Sequence, residues 1–366
     1  MRDPEIFPSV HVGLVLIAVA DNLPRSVGDV HGCCKLELRT EVKVLLSILS
    51  LAIYIPLQIA FIPFALLGFV LVAYRQIGVS KKLGVSQTAI EVLNGRWTMH
   101  VFGIRNDQAC AKLANALPNT SVIGLWLALF PLWLKFKISG EPFLYPRVPE
   151  AGAETMADMF VVRTLYFDRI IERVIDGIEQ FVVMGAGYDT RAYGGFQRNA
   201  VTFFELDQPQ VQQHKRDALK DAQIPCDHVR FVAVDFSKER PFKGLVEAGY
   251  DPSKKTLFLW EGVSLYLSES DVHKTMQDVR NHATADSVLL ADIYADRFLN
   301  VGKSSAAKKT LKYTNEGLCF GLPLASNYEE TLTGFVEAEA MSVGETFYMG
   351  HRSDKGPFMV VAEMRW

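Results

Sequence analysis

The amino-acid sequence predicts an α/β protein with a doubly wound sheet and helices on both faces. Apolar runs rich in β-forming residues recur through its second half, and short glycine or acidic motifs follow the first four. The clearest run, at 181–184, leads directly into Gly185-Ala186-Gly187. This pattern is typical of a buried parallel strand that ends in a glycine turn and is followed by a helix. Such a turn lets backbone N–H groups approach a nucleotide closely.

The other predicted strands follow in order along the chain. They lie at 201–204, 229–234, 256–260, 287–292, 346–349 and 358–364, and the last two form a closing hairpin. Glu205, Asp235 and Glu261 come directly after the second, third and fourth runs. Because ligands of open α/β sheets bind outside the carboxyl ends of the strands, we expect these acids to face one ligand.

The spacing of the glycines argues against a dinucleotide. The dinucleotide fingerprint has a third glycine three residues after the second, for close packing of the helix. This region instead reads Asp189-Thr190-Arg191, so an NAD-dependent oxidoreductase is disfavoured. An acid about 20 residues beyond the glycines suits a ribose diol. The sequence therefore favours a nucleoside ligand of another kind.

Five motifs in this region resemble those of one known family. They are Arg163-Thr164-x-x-Phe167-Asp168, Gly185-x-Gly187-x-Asp189-Thr190-Arg191, Glu205-x-Asp207-x-Pro209, Val234-Asp235-Phe236 and Glu261-Gly262-x-x-x-Tyr266-Leu267. In combination they resemble the leucine carboxyl methyltransferase family of class I S-adenosylmethionine-dependent O-methyltransferases. The resemblance covers about residues 155–295 and extends more faintly to 85–89 and Asn94-Gly95-Arg96.

The resemblance implies a Rossmann-like, seven-stranded class I methyltransferase fold beneath an N-terminal helical cap, with S-adenosyl-L-methionine as cofactor. It also implies a role for each matching residue. Gly185 and Gly187 would bracket the amino-acid end, Glu205 would bind the ribose, Asp235 and Phe236 the adenine, Glu261 the ammonium and Arg163 the carboxylate. For Asp189 and Arg191, a local ion pair that fixes the turn is an equally good interpretation.

Methyl transfer to oxygen makes few demands on side-chain chemistry. A carboxylate acceptor is already ionised near neutral pH and needs no general base, whereas a hydroxyl acceptor needs one. Tyr266, His273 and His351 are the candidates, with Tyr266 the one we retain for a catalytic role. His273 falls in a segment that reads as a capped helix start, so a surface position is the simpler interpretation.

Composition excludes several other functions. The formal net charge is −3, which gives no basic footprint for nucleic acid. The five cysteines follow no C-x-x-C spacing, and no cluster has metal-ligand spacing, so we expect reduced cytosolic thiols and no metal.

One long apolar segment stands apart from this soluble pattern. No charged residue or histidine occurs from Val44 to Tyr74, which is longer than the about 20 residues needed to cross a membrane. Pro56 and Pro63 interrupt it. It predicts one tilted span or a re-entrant hairpin, with a buried helical hairpin of a soluble fold as the alternative. Basic residues flank both ends, which suits a hairpin and a cytoplasmic catalytic part.

A second apolar patch lies at 122–134. It is too short to span, but Trp126, Trp133 and the lysines at its edge suit a helix in the membrane interface. A hydrophobic lid over the active site is the alternative.

These observations divide the chain into four segments. They are an N-terminal extension at 1–42, an apolar membrane-associated helix or hairpin at 43–78, a helical cap at 79–150 and a methyltransferase domain at 151–366. The predicted function is O-methylation of a carboxylate or hydroxyl on a small hydrophobic, lipid-like or membrane-resident acceptor. A non-catalytic, membrane-associated nucleoside-binding module of the same fold is the alternative.

Overall fold

The structure, a computed structural model, describes residues 30–236, 240–301 and 317–366. The predicted N-terminal extension at 1–42 lies outside the described residues as far as residue 29. From Val30 onward the chain is helical.

The chain divides into two compact units. Within the described residues, the first contains 30–71 and Ile123–Arg147. The second contains Val72–Val122 and Val148–Trp366. The second unit is therefore assembled from two separate chain segments, with part of the first unit inserted between them.

A seven-stranded sheet forms the centre of the second unit. Its strands are β1 Gln180–Met184, β2 Thr202–Asp207, β3 Val229–Ala233, β4 Thr256–Trp260, β5 Val288–Tyr294, β6 Ser342–Met349 and β7 Met359–Arg365. Their spatial order is β3-β2-β1-β4-β5-β7-β6. The pairs that involve β7 are antiparallel and the others are parallel. The class I methyltransferase sheet implied by the resemblance is confirmed.

The α-helices occur before, between and after the strands along the chain. The described α-helices are α1 Val30–Ala73, α2 Ser80–Leu83, α3 Gln87–Val101, α4 Gln108–Ala116, α5 Val122–Ser139, α6 Met159–Val174, α7 Pro209–Asp221, α8 Pro241–Glu247, α9 Glu269–Asn281, α10 Arg297–Val301 and α11 Tyr328–Glu337. Several begin at a side-chain cap. Ser86, Asp107 and Ser268 each accept a hydrogen bond from a backbone N–H in the first turn of the helix that follows.

The core lies on both faces of the sheet. Every residue of β1, β4 and β5 is buried, which explains their near-continuous apolar sequences. Successive side chains point to opposite faces, so Phe258 packs in one hydrophobic cluster and its neighbour Leu257 in the other. These two clusters fix the ends of the strands, where the predicted site residues lie.

The sequence predicts an α-helix directly after the glycine turn, and this prediction is wrong. Between β1 and β2 the chain forms turns and a short 3₁₀-helix, Arg191–Tyr193, followed by Gly194 and Gly195. Asp189 Oδ1 accepts a hydrogen bond from the backbone N of Arg191 at 2.7 Å. Side-chain contacts thus hold this connection in a conformation that replaces the helical hydrogen-bond ladder.

The apolar segments also differ from the predictions. Pro56 and Pro63 both lie inside α1, which continues as a π-helix, Tyr74–Val79, so the predicted re-entrant hairpin does not form. The patch predicted at 122–134 belongs to the longer α5, which has Pro131 inside it. By length and composition alone, Val42–Leu83 and Val122–Ser139 could each cross a membrane.

Truncation of a side chain in the central strand should test the core. Phe258 is fully buried, so Phe258→Ala should lower the free energy of unfolding by about 3–5 kcal/mol. Val246 is half exposed, and Val246→Ala should change the free energy of unfolding by less than about 0.5 kcal/mol. Urea titration of the full chain in mild detergent measures both values. Equal losses would contradict this description of the core.

Candidate functional site

A cavity of about 770 Å³ lies at the carboxyl ends of β1 to β4, within the second unit. From the sheet side it is lined by Gly185, Ala186, Gly187, Asp207, Asp235, Phe236, Glu261 and Gly262, and from the helices by Arg96, Phe160 and Arg163. Its volume is in the range of small-molecule and cofactor sites. All the predicted site residues except Glu205 therefore lie around one space, and Tyr266 lines it as well.

The glycine turn requires glycine at its first position. Gly185 has φ 72°, and a Cβ added there would lie 2.3 Å from Cγ2 of Val263. The backbone N atoms of Gly185 and Ala186 both donate to the carbonyl oxygen of Leu206, at 2.9 and 2.8 Å. The turn is thus held against the end of β2, with its backbone along the cavity.

Asp207 is the carboxylate that the second strand presents to the cavity. Its Oδ2 accepts from the backbone N of Gly187 at 2.5 Å, and its Oδ1 accepts from the backbone N of Gln208 at 2.7 Å. Burial raises the pKa of Asp207, and these two hydrogen bonds oppose that rise. The turn and the end of β2 are therefore linked through this side chain.

Glu205, which the resemblance assigns to the ribose, is not among the residues that line the cavity. Glu205 is 2% exposed, and its Oε2 accepts from Lys215 Nζ at 2.7 Å. Lys215 also donates to the backbone oxygen of Asp189 at 2.6 Å. Burial raises the pKa of Glu205, and the charge of Lys215 opposes it. Glu205 and Lys215 form a buried ion pair that supports the turn, and Asp207 faces the cavity instead.

Glu261 is surrounded by three arginines. Its Oε2 accepts from Arg96 Nη2 at 2.8 Å and from Arg191 Nη1 at 2.7 Å. Its Oε1 lies 3.3 Å from Arg163 Nη2 but accepts no hydrogen bond from the described residues. Burial alone would raise the pKa of Glu261, but the positive charges of Arg96, Arg191 and Arg163 lower it to about 2.

Arg163 reaches the cavity from α6. Its Nη1 donates to Tyr294 Oη at 2.6 Å and to Asp292 Oδ2 at 3.1 Å, while its Nε has no partner among the described residues. Asp292 Oδ1 accepts from the backbone N of Gly262 at 2.7 Å. A Cβ at Gly262 would lie 3.4 Å from Arg163 Nη1. Asp292 therefore orients both the arginine and the backbone that follows Glu261.

The ion pair predicted between Asp189 and Arg191 is part of a larger network. Arg191 Nη1 contacts Asp189 Oδ2, which also accepts from Arg96 Nη1 at 2.7 Å. Arg191 Nε donates to Asp168 Oδ1 at 2.7 Å. Burial alone would raise the pKa of Asp189, but the charges of Arg191 and Arg96 hold it well below its usual range. The network connects the glycine turn to α3 and α6.

Sequence reasoning assigned no role to three residues of this site. Arg96 lies in the stretch where the resemblance is faint, and nothing in the periodicity of α3 marks it. Asp207 belongs to the Glu205-x-Asp207-x-Pro209 motif, where the resemblance assigns the ribose to its neighbour Glu205. Asp292 ends the fifth predicted strand, as the other site acids end theirs, and that position was the available signal.

The two candidate histidines lie elsewhere. His273 Nδ1 is 2.6 Å from Glu339 Oε1, and His351 Nδ1 is 2.8 Å from the carbonyl oxygen of Tyr348. In the described part of the chain, no histidine lines the cavity and no group of three potential metal ligands occurs. Tyr266 is the one base candidate from the sequence that borders the cavity.

Comparison with known proteins gives a family match for the region that contains the site. Residues 135–280 match the family model described as leucine carboxyl methyltransferase. A relative from Mycolicibacterium paratuberculosis is 42% identical over 110 residues, 30% of this chain and 36% of the relative. Another from Mycolicibacterium smegmatis is 28% identical over 224 residues, 61% of this chain and 65% of the relative. Both are provisionally named S-adenosyl-L-methionine-dependent methyltransferases.

The chain spans between about a third and two thirds of the length of these two relatives. Among solved structures, an O-methyltransferase family protein from Burkholderia thailandensis is similar at a TM-score of 0.40 and 13% identity. That similarity covers 57% of each chain. The motifs around the cavity, the seven-stranded sheet and the match over 135–280 agree. Residues 135–280 of this chain are therefore similar to the leucine carboxyl methyltransferase family, as the motifs around the cavity also indicate.

Proposed function

We propose that the protein is an O-methyltransferase that uses S-adenosyl-L-methionine. The observation that carries this proposal is the pairing, in one cavity, of a carboxylate oxygen without a hydrogen bond and a partly unsatisfied arginine beside a glycine turn. Glu261 Oε1 and Arg163 Nε are these two groups. The family match and the names of the relatives support the same activity.

The charges of the site suit the two ends of this cofactor. An amino acid carries an ammonium and a carboxylate, and Glu261 and Arg163 offer one complementary charge for each. Asp207 would accept hydrogen bonds from the ribose hydroxyls, and Asp235 and Phe236 would contact the adenine. When bound, S-adenosyl-L-methionine supplies a methyl group that its sulfonium already activates. The residues of the chain then need to orient the acceptor and exclude water.

The lining of the cavity favours a hydrophobic acceptor with a carboxylate. Apolar side chains make up much of the rest of the lining; they include Ile77, Val85, Met159, Phe160, Leu265 and Phe298. No histidine is among the described lining residues, and an ionised carboxylate needs no general base. A hydroxyl acceptor would rely on Tyr266. The acceptor would reach the site from a membrane or as a small molecule.

Cofactor binding distinguishes this function from an oxidoreductase. We expect S-adenosylhomocysteine to bind the full chain in isothermal titration calorimetry, and NAD to give no heat above that of dilution. Binding of S-adenosylhomocysteine, together with no methylation of a carboxylate or hydroxyl in a panel of hydrophobic acceptors, would favour the non-catalytic module. Binding of NAD alone would overturn the proposal.

Substitutions at two neighbouring acids should distinguish an effect on cofactor affinity from an effect on the free energy of unfolding. Asp207→Asn should weaken S-adenosylhomocysteine binding by roughly 10- to 100-fold, because a charged hydrogen-bond acceptor is lost from the cavity. Glu205→Gln should leave the affinity within roughly threefold. It should instead lower the free energy of unfolding by about 3 kcal/mol or more, because Lys215 loses its buried partner. The opposite pattern in calorimetry and urea titration would restore Glu205 as the ribose ligand.

The low pKa of Glu261 contributes to the pH dependence of stability. With a folded pKa of about 2 against an ordinary 4.5, its ionised form stabilises the fold above pH 4.5, and this contribution is lost as pH falls toward 2. Glu261→Gln should therefore flatten the acid limb of the stability curve, measured by urea titration across this window. An identical acid limb in both proteins would show that Glu261 titrates normally in the folded chain.

A further inference from the structure

The outer surface of α1 is apolar and exposed along most of its length. Ile48, Ile55, Ile59, Leu66 and Phe69 are between 55% and 63% exposed, and no charged side chain interrupts them. An exposed apolar surface of this length on a folded chain marks a contact with lipid or with another protein. A narrow stripe is buried instead; it includes Ser50, Tyr54, Ala65 and Gly68.

The buried stripe is explained by α5, which packs along α1 in the opposite direction. A Cβ at Gly68 would lie 2.5 Å from the carbonyl oxygen of Gly124, so the helix backbones approach closely there. Further along, the rings of Phe61 and Phe130 stack with centroids 5.4 Å apart. Tyr54 then meets Phe143, just beyond α5, at 5.7 Å. Close approach at small residues is typical of helix pairs in lipid.

The connections of α5 prevent it from crossing a bilayer. The segments on either side of it, Val72–Val122 and Val148–Trp366, fold into a single compact unit. Buried ion pairs join these two segments, among them Arg96 with Asp189 and Arg105 with Asp168. A membrane cannot separate segments that share one core, so α5 begins and ends on the same side of the membrane.

The same connections limit how far the Tyr54 end of the pair can extend from the second unit's chain segments. From Tyr54 to Leu71 a helix rises about 26 Å. Phe143, which contacts Tyr54, precedes Val148 by five residues, which extend at most about 18 Å. A hydrocarbon core is about 30 Å thick. Beyond Tyr54 the apolar part of α1 adds about 15 Å as far as Val44. Before Val44 the sequence is charged, with Glu41 and Lys43. Tyr54 is therefore the deepest point that the contact with Phe143 fixes, and the labelling experiment below decides whether Val44–Tyr54 continues across.

We infer that the α1–α5 pair lies within one leaflet of a phospholipid membrane and that the exposed face of α1 contacts the acyl chains. The protein is thus a monotopic membrane protein whose two helices enter from a single side. Trp126 and Trp133 on α5 lie within 5.4 Å of each other, and Lys137 stands 5.8 Å from the Trp133 ring, a combination suited to the headgroup layer. This inference does not depend on methyl transfer.

Flotation of the full chain with preformed phosphatidylcholine vesicles tests the contact with lipid. The double variant Ile59→Lys, Phe69→Lys places two charges on the exposed face and should lower the vesicle-bound fraction at least tenfold. Val246→Lys adds a charge at an exposed apolar residue of the second unit and should leave the bound fraction unchanged. Equal flotation of all three proteins, or a vesicle-free dimer whose contact the double variant abolishes, would overturn the inference.

Labelling of native lysines tests whether the helix crosses. Lys43 and Lys82 are exposed and lie on either side of the apolar segment. On vesicle-bound protein, an externally added impermeant amine reagent should label both, as measured by mass spectrometry. Labelling of Lys82 with protection of Lys43 until detergent is added would indicate a span and refute the inference. Calorimetry with S-adenosylhomocysteine on the double variant keeps the two proposals separate, since its cofactor affinity should match that of the parent.

Discussion

The contact of Glu261 with three arginines is the interaction on which the rest of the site depends. Arg96 arrives from α3, Arg163 from α6 and Arg191 from the turn after β1, so one carboxylate at the end of β4 fixes three parts of the chain. Removing one partner from such a buried group leaves an uncompensated charge, which typically costs about 3–5 kcal/mol. The shape of the cavity is therefore set by charge pairing as much as by apolar packing.

The strands of the sheet could be predicted from the sequence because each is marked by a short run of neighbouring apolar residues. Runs such as 181–184 and 256–260 are buried on both faces, and burial of that kind leaves a continuous apolar signature. Asp235 and Glu261 follow directly after predicted strands, and both line the cavity at the carboxyl ends of those strands. The family resemblance was equally local, since it depends on short motifs around these ends.

The parts that the sequence did not predict depend on contacts between distant residues. Lys215, ten positions beyond Glu205, donates a hydrogen bond to the Glu205 carboxylate in the core, whereas Asp207 lines the cavity. The helix predicted after the glycine turn does not form, and Asp189 and Arg191 there pair instead with Arg96 and Asp168 from earlier helices. Periodicity and propensity report neither kind of contact.

The contacts of Arg191 restrict the substitutions that the site can accept. Arg191 is 1% exposed and pairs with three acids, Asp168, Asp189 and Glu261, each supplied by a different stretch of chain. A replacement at this position disturbs all three partners together, so its effect is coupled to each of them. An exchange at an apolar lining residue such as Leu265 removes none of these three ion pairs, so the apolar lining can be altered without breaking the charge network.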